Sequence, residues 1–407
     1  MAMISVAEAL ARVFGSIEGP VGREEVALAD AIGRTLAEDV AATRDQPPFA
    51  ASAMDGYAVR EADLADLPRR LIVVGTSVAG RRHPGIVGPG EAVRIFTGAP
   101  IPEGADAIVI QEDTEAADDT VAVRAKEPPG RYIRPAGLDF RQGETLVRAG
   151  QRLDARLITL AASAGRASLL VRRRPRVAVL ATGDELVRPG ETPGPDQIVA
   201  SNPYGLRALI ERAGGEMLDL GIARDTLDDL GRRIEAARAA KADLLVTLGG
   251  ASVGDHDLVQ QALAGAGMEL GFWRVALRPG KPLMNGRLGR MLLLGLPGNP
   301  VSSIVCGILF VVPAIRALLG DPAAGEDPTE AAVLGAALPT NDQRQDYMRA
   351  RLERRSDGPD RAVAHGRQDS SMVAVLAGSD ALIVRKPHEP AAAEGDACRI
   401  IRLDRFC

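Results

Sequence analysis

The sequence predicts a multi-domain protein of class α/β plus β. Three observations carry that expectation. With 407 residues the chain exceeds what one hydrophobic core ordinarily organises. From Arg176 to Leu319, short apolar runs alternate with stretches of helical periodicity, the pattern of a sheet layered with helices. Before and after that region the signal is short β-runs cut by Gly, Pro and Asp.

In chain order, Val6 to Phe14 carries apolar residues at helical spacing, and Gln46-Pro47-Pro48-Phe49 breaks the pattern. Leu71–Val74, Ala92–Phe96, Ala107–Ile110 and Val121–Val123 read as strands. Leu153 to Ala164 returns to helix and is expected to pack beside the N-terminal one, forming a discontinuous helical connector domain (1–45 and 142–174) with a β-rich insertion (46–141). The α/β domain (175–320) follows. Its strands are Val177–Leu180, Leu218–Ile222, Leu244–Leu248, Phe272–Leu277 and Met291–Leu294. Asn202 is placed to cap a helix with Pro203 at its first position, and Asp225 to cap the helix through Ala240. A further helix follows Asp257, and Asn299-Pro300 begins a last one through Leu319. The alternation implies a parallel sheet with ligands beyond the carboxyl ends of its strands. Asp321 to Pro328 reads as a linker, and the tail, 328–407, as several short strands.

Composition narrows the function. The net charge is −5 and basic residues are dispersed, which argues against a nucleic-acid surface. The N-terminal stretch has neither a positive flank nor a long apolar core, so no signal peptide or membrane span is expected and the location expected is cytoplasmic. Three scattered cysteines and four scattered histidines form no zinc pattern, so any metal is expected to be oxygen-bound. Only Lys126, Lys241, Lys281 and Lys386 are lysine; the other basic residues are arginine.

The chemistry collects at strand ends. Leu244 to Leu248 runs into Gly249-Gly250-Ala251-Ser252-Val253-Gly254-Asp255-His256-Asp257. Glycines there let backbone N–H groups converge on an anion, and acids beside them suit a bridging Mg²⁺. A structural glycine turn with a solvated acidic end fits the same letters. Thr182-Gly183-Asp184-Glu185-Leu186 ends another strand, with Glu185 read either as a site acid or as a helix-start acid favoured by the dipole. Arg278-Pro279-Gly280-Lys281-Pro282 is a stiff cationic turn suited to an oxyanion. Leu296-Pro297-Gly298-Asn299-Pro300-Val301-Ser302-Ser303 is a rigid strand-to-helix turn, either architecture or contact. Three more loops stand out in the β-rich insertion: Ser52 to Ala58 with Asp55, Arg94 to Pro102 with Thr97, and Arg131 to Asp139. Composition alone calls these surface turns.

Taken together, D-G-Y-A, F-T-G-A-x-x-P, R-x-x-G-x-D, T-G-D-E-L, G-G-x-S-x-G-x-x-D, P-G-K-P and L-P-G-N-P occur in an order that resembles the molybdopterin molybdenumtransferase (MoeA) family, similar to the C-terminal E domain of gephyrin. The resemblance implies an elongated protomer with a three-layer molybdopterin-binding-like α/β domain and a C-terminal β-barrel. It implies a cytoplasmic homodimer with a shared active site. It also implies insertion of molybdate into adenylylated molybdopterin, with Mg²⁺-dependent hydrolysis of the pyrophosphate link and release of AMP. By motif position, Asp184, Glu185 and Asp257 would serve metal and nucleotide. Thr182, Gly183, Gly249, Gly250, Ser252 and Gly254 would line the phosphate site. Lys281 with Arg278 would hold molybdate or the pterin phosphate. Asp55, Thr97 and Asp139 would come from the other protomer, and Pro297, Pro300 and Ser370 would complete the substrate site. By the same resemblance, a molybdopterin adenylyltransferase would be a partner, supplying the substrate.

Two positions depart from the family pattern. Arg278 stands where relatives commonly carry lysine, exchanging a compact charge for a planar fork. Gln368-Asp369-Ser370 follows a Q-G-S pattern only in part, and Asp369 adds negative charge near an anionic ligand. A tungsten-inserting paralogue, a molybdopterin adenylyltransferase and a non-enzymatic scaffold are the alternatives. The three loops of the insertion argue against the adenylyltransferase, and the full acidic and basic set against pure scaffolding.

Overall fold

The computed structural model describes residues 3–250, 258–356 and 358–406. Among them, the central sheet has the strand order Glu216–Ala223, Arg176–Thr182, Leu244–Leu248, Met291–Leu296, Pro282–Leu288, Glu269–Arg274. The first four are mutually parallel, as the βα alternation predicts. The last two are antiparallel, so the sheet is mixed rather than parallel. Pro282–Leu288 is an additional strand that forms a hairpin with Met291–Leu296 through Gly289, whose φ of 62° suits glycine. The run expected as one strand over Phe272–Leu277 divides in two. Glu269–Arg274 edges the sheet, while Leu277–Arg278 pairs with the C-terminal barrel.

Two apolar layers cover the sheet. One packs Val177, Val246 and Leu294 against Leu206, Val305 and Phe310; the other packs Leu180, Leu245 and Leu293 against Leu230, Ile234 and Val259. The helix from Pro300 to Leu318 is apolar all round, with a mean hydropathy of 2.2, and 78% of that stretch is buried inside the protein. All-round apolarity is what a core helix requires. Each fully buried Leu, Ile or Phe contributes about 1.5–3 kcal/mol. The expected continuous helix is interrupted: Pro300–Cys306 and Val312–Leu318 are α-helical, and Gly307–Val311 forms a π-turn in which the Val312 N–H donates to the Gly307 carbonyl. Pro313 explains this, because a proline inside a regular helix clashes with the carbonyl four residues back, and the wider turn relieves it.

Two caps shift by one residue from the expectation. Ser201, not Asn202, precedes the helix Asn202–Arg212, and Thr226, not Asp225, caps Leu227–Ala239 by accepting from the Asp229 N–H at 3.3 Å. Both displaced residues are thereby released for other work.

The connector also differs from the expectation. The helices Val6–Gly15 and Ala155–Ser163 bury their apolar faces in different cores: Ala9 and Val13 join the α/β core, Ala161 a separate cluster with Leu36, Val147 and Leu153. The second core is closed by antiparallel pairs, Arg23–Ala27 with Ser168–Arg172 and Val40–Ala41 with Thr145–Val147, so this region is not purely helical. The insertion has a six-stranded sheet built on Gly56–Val59, Arg69–Ser77 and Glu91–Ile95. In the tail, Gln345–Glu353, Arg361–Ala364, Glu330–Leu334, Ala397–Arg402 and Ala381–Arg385 pair in a ring, and the last returns to the first, closing a five-stranded barrel.

Candidate active site

A cleft of ≈750 Å³ opens at the carboxyl ends of the parallel strands, where a topological switch places ligands. Three strand-end turns form its floor. Thr182 and Gly183 end the strand Arg176–Thr182, Gly249 and Gly250 follow Leu244–Leu248, and Gly298, Asn299 and Pro300 follow Met291–Leu296. Their closeness explains the small residues. A Cβ on Gly249 (φ +94°) would lie 2.8 Å from the Thr182 carbonyl oxygen, and Gly298 faces the Gly249 Cα. A Cβ on Gly183 would meet the Glu185 carboxylate, so that side chain folds back over the turn.

The acidic corner has a member not predicted for the site. Asp225, released from capping, lines the cleft with Glu185, and its N–H donates to Asp184 Oδ1 at 3.3 Å. Partial burial, then the charges of Asp184 and Glu185, push its carboxyl above the usual carboxylate range. The only sequence signal was an acid one position before an equally good threonine cap. Oxygen donors clustered with like charge suit a hard cation. Among the described residues no three acid, histidine or cysteine side chains are grouped closely enough to hold a metal. Asp257, the third acid expected there, lies outside the described residues, as do Ser252 and Gly254.

The opposite wall joins the α/β domain to the tail. Asn202 Nδ2 donates to the Gly298 carbonyl at 2.7 Å, and Ser303 Oγ donates to the Pro297 carbonyl, fixing the turn at the helix start. Pro300 lines the cleft at the first helical position. Asn299 Nδ2 donates to Ser370 Oγ at 2.8 Å, and the Val301 N–H to the Ser370 carbonyl at 3.0 Å. Ser370 is therefore brought to the P-G-N-P turn, and its neighbour Ser371 lines the cleft. Behind them Arg349 is almost fully buried, with Nη2 donating to the Asp369 carbonyl at 3.0 Å and Nε without a partner among the described residues; burial lowers its pKa.

The two cationic residues of the R-P-G-K-P turn separate. Arg278 faces the barrel, where its guanidinium bonds Asn341 and Asp342, each at 3.1 Å, and Asp346. It holds two domains together and does not line the cleft. Lys281 is exposed and makes no ion pair with a described residue. The hairpin register ends with Met284 opposite Gly295, so Lys281 lies just beyond the paired strand, and it is not among the described residues that line the cleft.

The three loops of the insertion meet one another. The Thr97 N–H and Oγ1 donate to Asp55 Oδ1 at 2.7 and 2.8 Å, which hold that carboxyl below its ordinary range. Ser52 pairs with Ile133 and bonds Ala99 and Gly98 through its backbone. Asp139 lies exposed beyond, with its N–H on the Gln46 carbonyl at 2.9 Å. The Arg94 guanidinium lies over both Tyr57 (5.0 Å) and Phe96 (4.9 Å). None of these residues lines the cleft of its own chain.

Comparison with known proteins agrees with this architecture. Residues 4–165 match the MoeA N-terminal region (domain I and II), 178–317 the probable molybdopterin binding domain, and 331–403 the MoeA C-terminal region (domain IV). A molybdopterin molybdenumtransferase of Haemophilus influenzae is 33% identical over 399 residues, 98% of each chain. One from Nostoc sp. is 41% identical over 312 residues, 75% of this chain and 71% of that one. The crystal structure of a molybdopterin biosynthesis MoeA protein from Pyrococcus horikoshii superposes with a TM-score of 0.84 at 32% identity, covering 98% of this chain and 99% of that one. The chain belongs to the molybdopterin molybdenumtransferase family, enzymes of molybdenum cofactor biosynthesis.

Proposed function

We propose that the protein inserts molybdate into adenylylated molybdopterin, cleaving the pyrophosphate link and releasing AMP and molybdenum cofactor. The observation that carries this reading is the meeting of glycine turns and the carboxylates Glu185 and Asp225 at one end of the sheet, beside the P-G-N-P turn. Cleaving a phosphoanhydride depends mainly on positioning and charge neutralisation. The Gly249 N–H is spent on the Leu296 carbonyl at 3.2 Å, so the phosphate donors on this loop are the Gly250 N–H and, continuing it in sequence, those of Ser252 and Gly254. Thr182 and Gly183 close the opposite side. Asp225 lines the same corner with Glu185 and adds a third carboxylate there.

Asp184, Glu185 and Asp257 are the residues that would hold Mg²⁺, their oxygen donors being the kind a hard cation takes. When bound, Mg²⁺ neutralises charge on the bridging phosphates. Lys281 presents a compact charge to molybdate. Asp55, Thr97 and Asp139 reach the cleft from the second protomer of a homodimer, which accounts for their distance from their own chain's cleft. The substrate comes from a molybdopterin adenylyltransferase, and the enzyme works in the cytoplasm.

The test is AMP release from adenylylated molybdopterin with molybdate, after EDTA treatment and after Mg²⁺ is restored. Release that requires both molybdate and Mg²⁺ is the expected outcome; release indifferent to both overturns the reading. Tungstate in parallel distinguishes the tungsten paralogue. Lys281→Arg is expected to impair molybdate use despite keeping charge, because the two cations differ in shape and hydration.

A further inference from the structure

The tail loop at the cleft mouth is held more firmly than a passing turn requires. The Asp369 carbonyl accepts from Arg349 Nη2 at 3.0 Å and from the Met372 N–H at 3.3 Å. The Ser370 carbonyl accepts from the Val301 N–H and the Ser371 carbonyl from the Val373 N–H, both at 3.0 Å. The Gln368 side chain grips the Arg349 backbone in both directions, accepting from its N–H at 2.9 Å and donating to its carbonyl at 3.0 Å. Within this frame the Asp369 carboxylate turns back on the loop. Its Oδ1 accepts from the Ser371 N–H at 2.8 Å and from Ser371 Oγ at 2.6 Å.

The second contact fixes the polarity of a hydroxyl. The Ser371 bonds hold the Asp369 carboxyl below the ordinary carboxylate range, so at neutral pH it is ionised and has no proton to give. The proton between the two oxygens is therefore the one on Ser371. With that proton committed, Ser371 Oγ offers the cleft lone pairs alone. Phosphate and molybdate are also acceptors, so neither can use it. The ligand group that fits is a hydrogen-bond donor, and in the substrate class given above the pterin ring carries such N–H groups.

We propose that Ser371, oriented by Asp369, is a specificity residue that accepts a hydrogen bond from a ring N–H of the pterin. This rests on the substrate class given above. It also gives Asp369 a use other than the charge expected to oppose an anionic ligand: Asp369 is a positioning residue acting through Ser371.

The two roles of Asp369 predict opposite signs. As a bare negative charge it weakens anion binding, so removing it lowers KM. As a positioning group it strengthens binding, so removing it raises KM, whereas asparagine, which keeps Oδ1 without the charge, preserves it. The experiment measures KM and kcat for adenylylated molybdopterin, and equilibrium binding of molybdopterin without the adenylyl group, in the full chain and in Ser371→Ala, Ser371→Thr, Asp369→Gly and Asp369→Asn. Thermal melts confirm that each variant is folded. Ser371→Ala and Asp369→Gly are expected to weaken binding about three- to tenfold, the scale of one net hydrogen bond, with kcat little changed. Ser371→Thr and Asp369→Asn should stay within about twofold of the parent, because the acceptor oxygen remains. Tighter binding in both Asp369 variants would leave only a charge effect and overturn the proposal. So would unchanged binding in Ser371→Ala and Asp369→Gly, which would make the contact a loop staple. If the parent binds molybdopterin but does not turn over the adenylylated form, the reaction assigned above fails and the inference is judged on binding alone. If the parent binds neither, both fall.

Discussion

The backbone N–H of Asp225 donates to Asp184 Oδ1 at 3.3 Å, so two acids from neighbouring parallel strands share one corner of the cleft. A folded domain keeps such repulsion where function uses it.

Replacing Asp225 with Asn should therefore move stability and activity in opposite directions. The folded pKa of Asp225 is raised, so its favourable protonated state is fully present below the unfolded pKa and lost as pH rises through the folded one. At neutral pH the ionised carboxylate costs stability. Asp225→Asn removes that cost, and Tm should rise at about pH 7 and match the parent's near about pH 3. Turnover should fall by at least about tenfold, roughly 1.4 kcal/mol of barrier. A lower Tm at neutral pH would mean that Asp225 is held for structure.

The glycines of the floor give a contrast. Gly249→Ala places a Cβ 2.8 Å from a backbone carbonyl at a φ of +94°, and neither atom is at the end of a flexible side chain. A loss of about 1–3 kcal/mol is expected, read by urea denaturation. Among the described residues, Gly298→Ala meets only the Gly249 Cα, at 3.7 Å, an ordinary contact. It should leave the denaturation midpoint within error while narrowing the cleft. Equal losses in the two would show that the turns are not packed as described.

Much of this site was legible because its residues are local to strand ends, where an apolar run stops at glycine and acid. The four parallel strands and the Asn299-Pro300 helix start follow from that pattern. Pro282–Leu288 escaped because Asn285 and Gly286 interrupt its apolar pattern, and Arg23–Ala27 because its mostly exposed, charged residues mask a strand. Asp225 and Thr226 are equally able to cap, and only the three-dimensional cleft separates their roles. The anchoring of Arg278 was hidden for a different reason: its partners Asp342 and Asp346 lie 64 and 68 residues further along, in another domain. Local spacing carries no information about a contact of that span.

Asp342, one of those partners, predicts an acid-sensitive contact within the tail. The Arg344 guanidinium, with help from Arg278, holds the Asp342 carboxyl at about 2. A depressed carboxyl contributes stability that is present above its unfolded pKa and lost as pH falls through the folded one. Arg344→Ala should lower Tm slightly at about pH 7, since the pair is partly exposed, and the difference should shrink below about pH 4. A difference that persists unchanged to about pH 3 would place the contribution of Arg344 in packing rather than in its charge.

The separation of Asp55 and Thr97 from their own chain's cleft leads to the last prediction. They meet each other on the insertion, yet no residue of that loop cluster lines the cleft bearing Glu185. If the loops serve a second protomer, Asp55→Ala and Glu185→Ala lie in different halves of one composite site. Each homodimer should be inactive. Co-expressed in equal amounts, half the dimers are mixed, and a mixed dimer has one site with both lesions and one with neither. About a quarter of all sites therefore regain full activity. If both residues act within one chain, every site in every dimer keeps a lesion and nothing returns. Native mass spectrometry counts the mixed dimers, and turnover per mixed dimer decides the case: recovery to half the parental value per mixed dimer supports the shared site, and mixed dimers without activity rule it out.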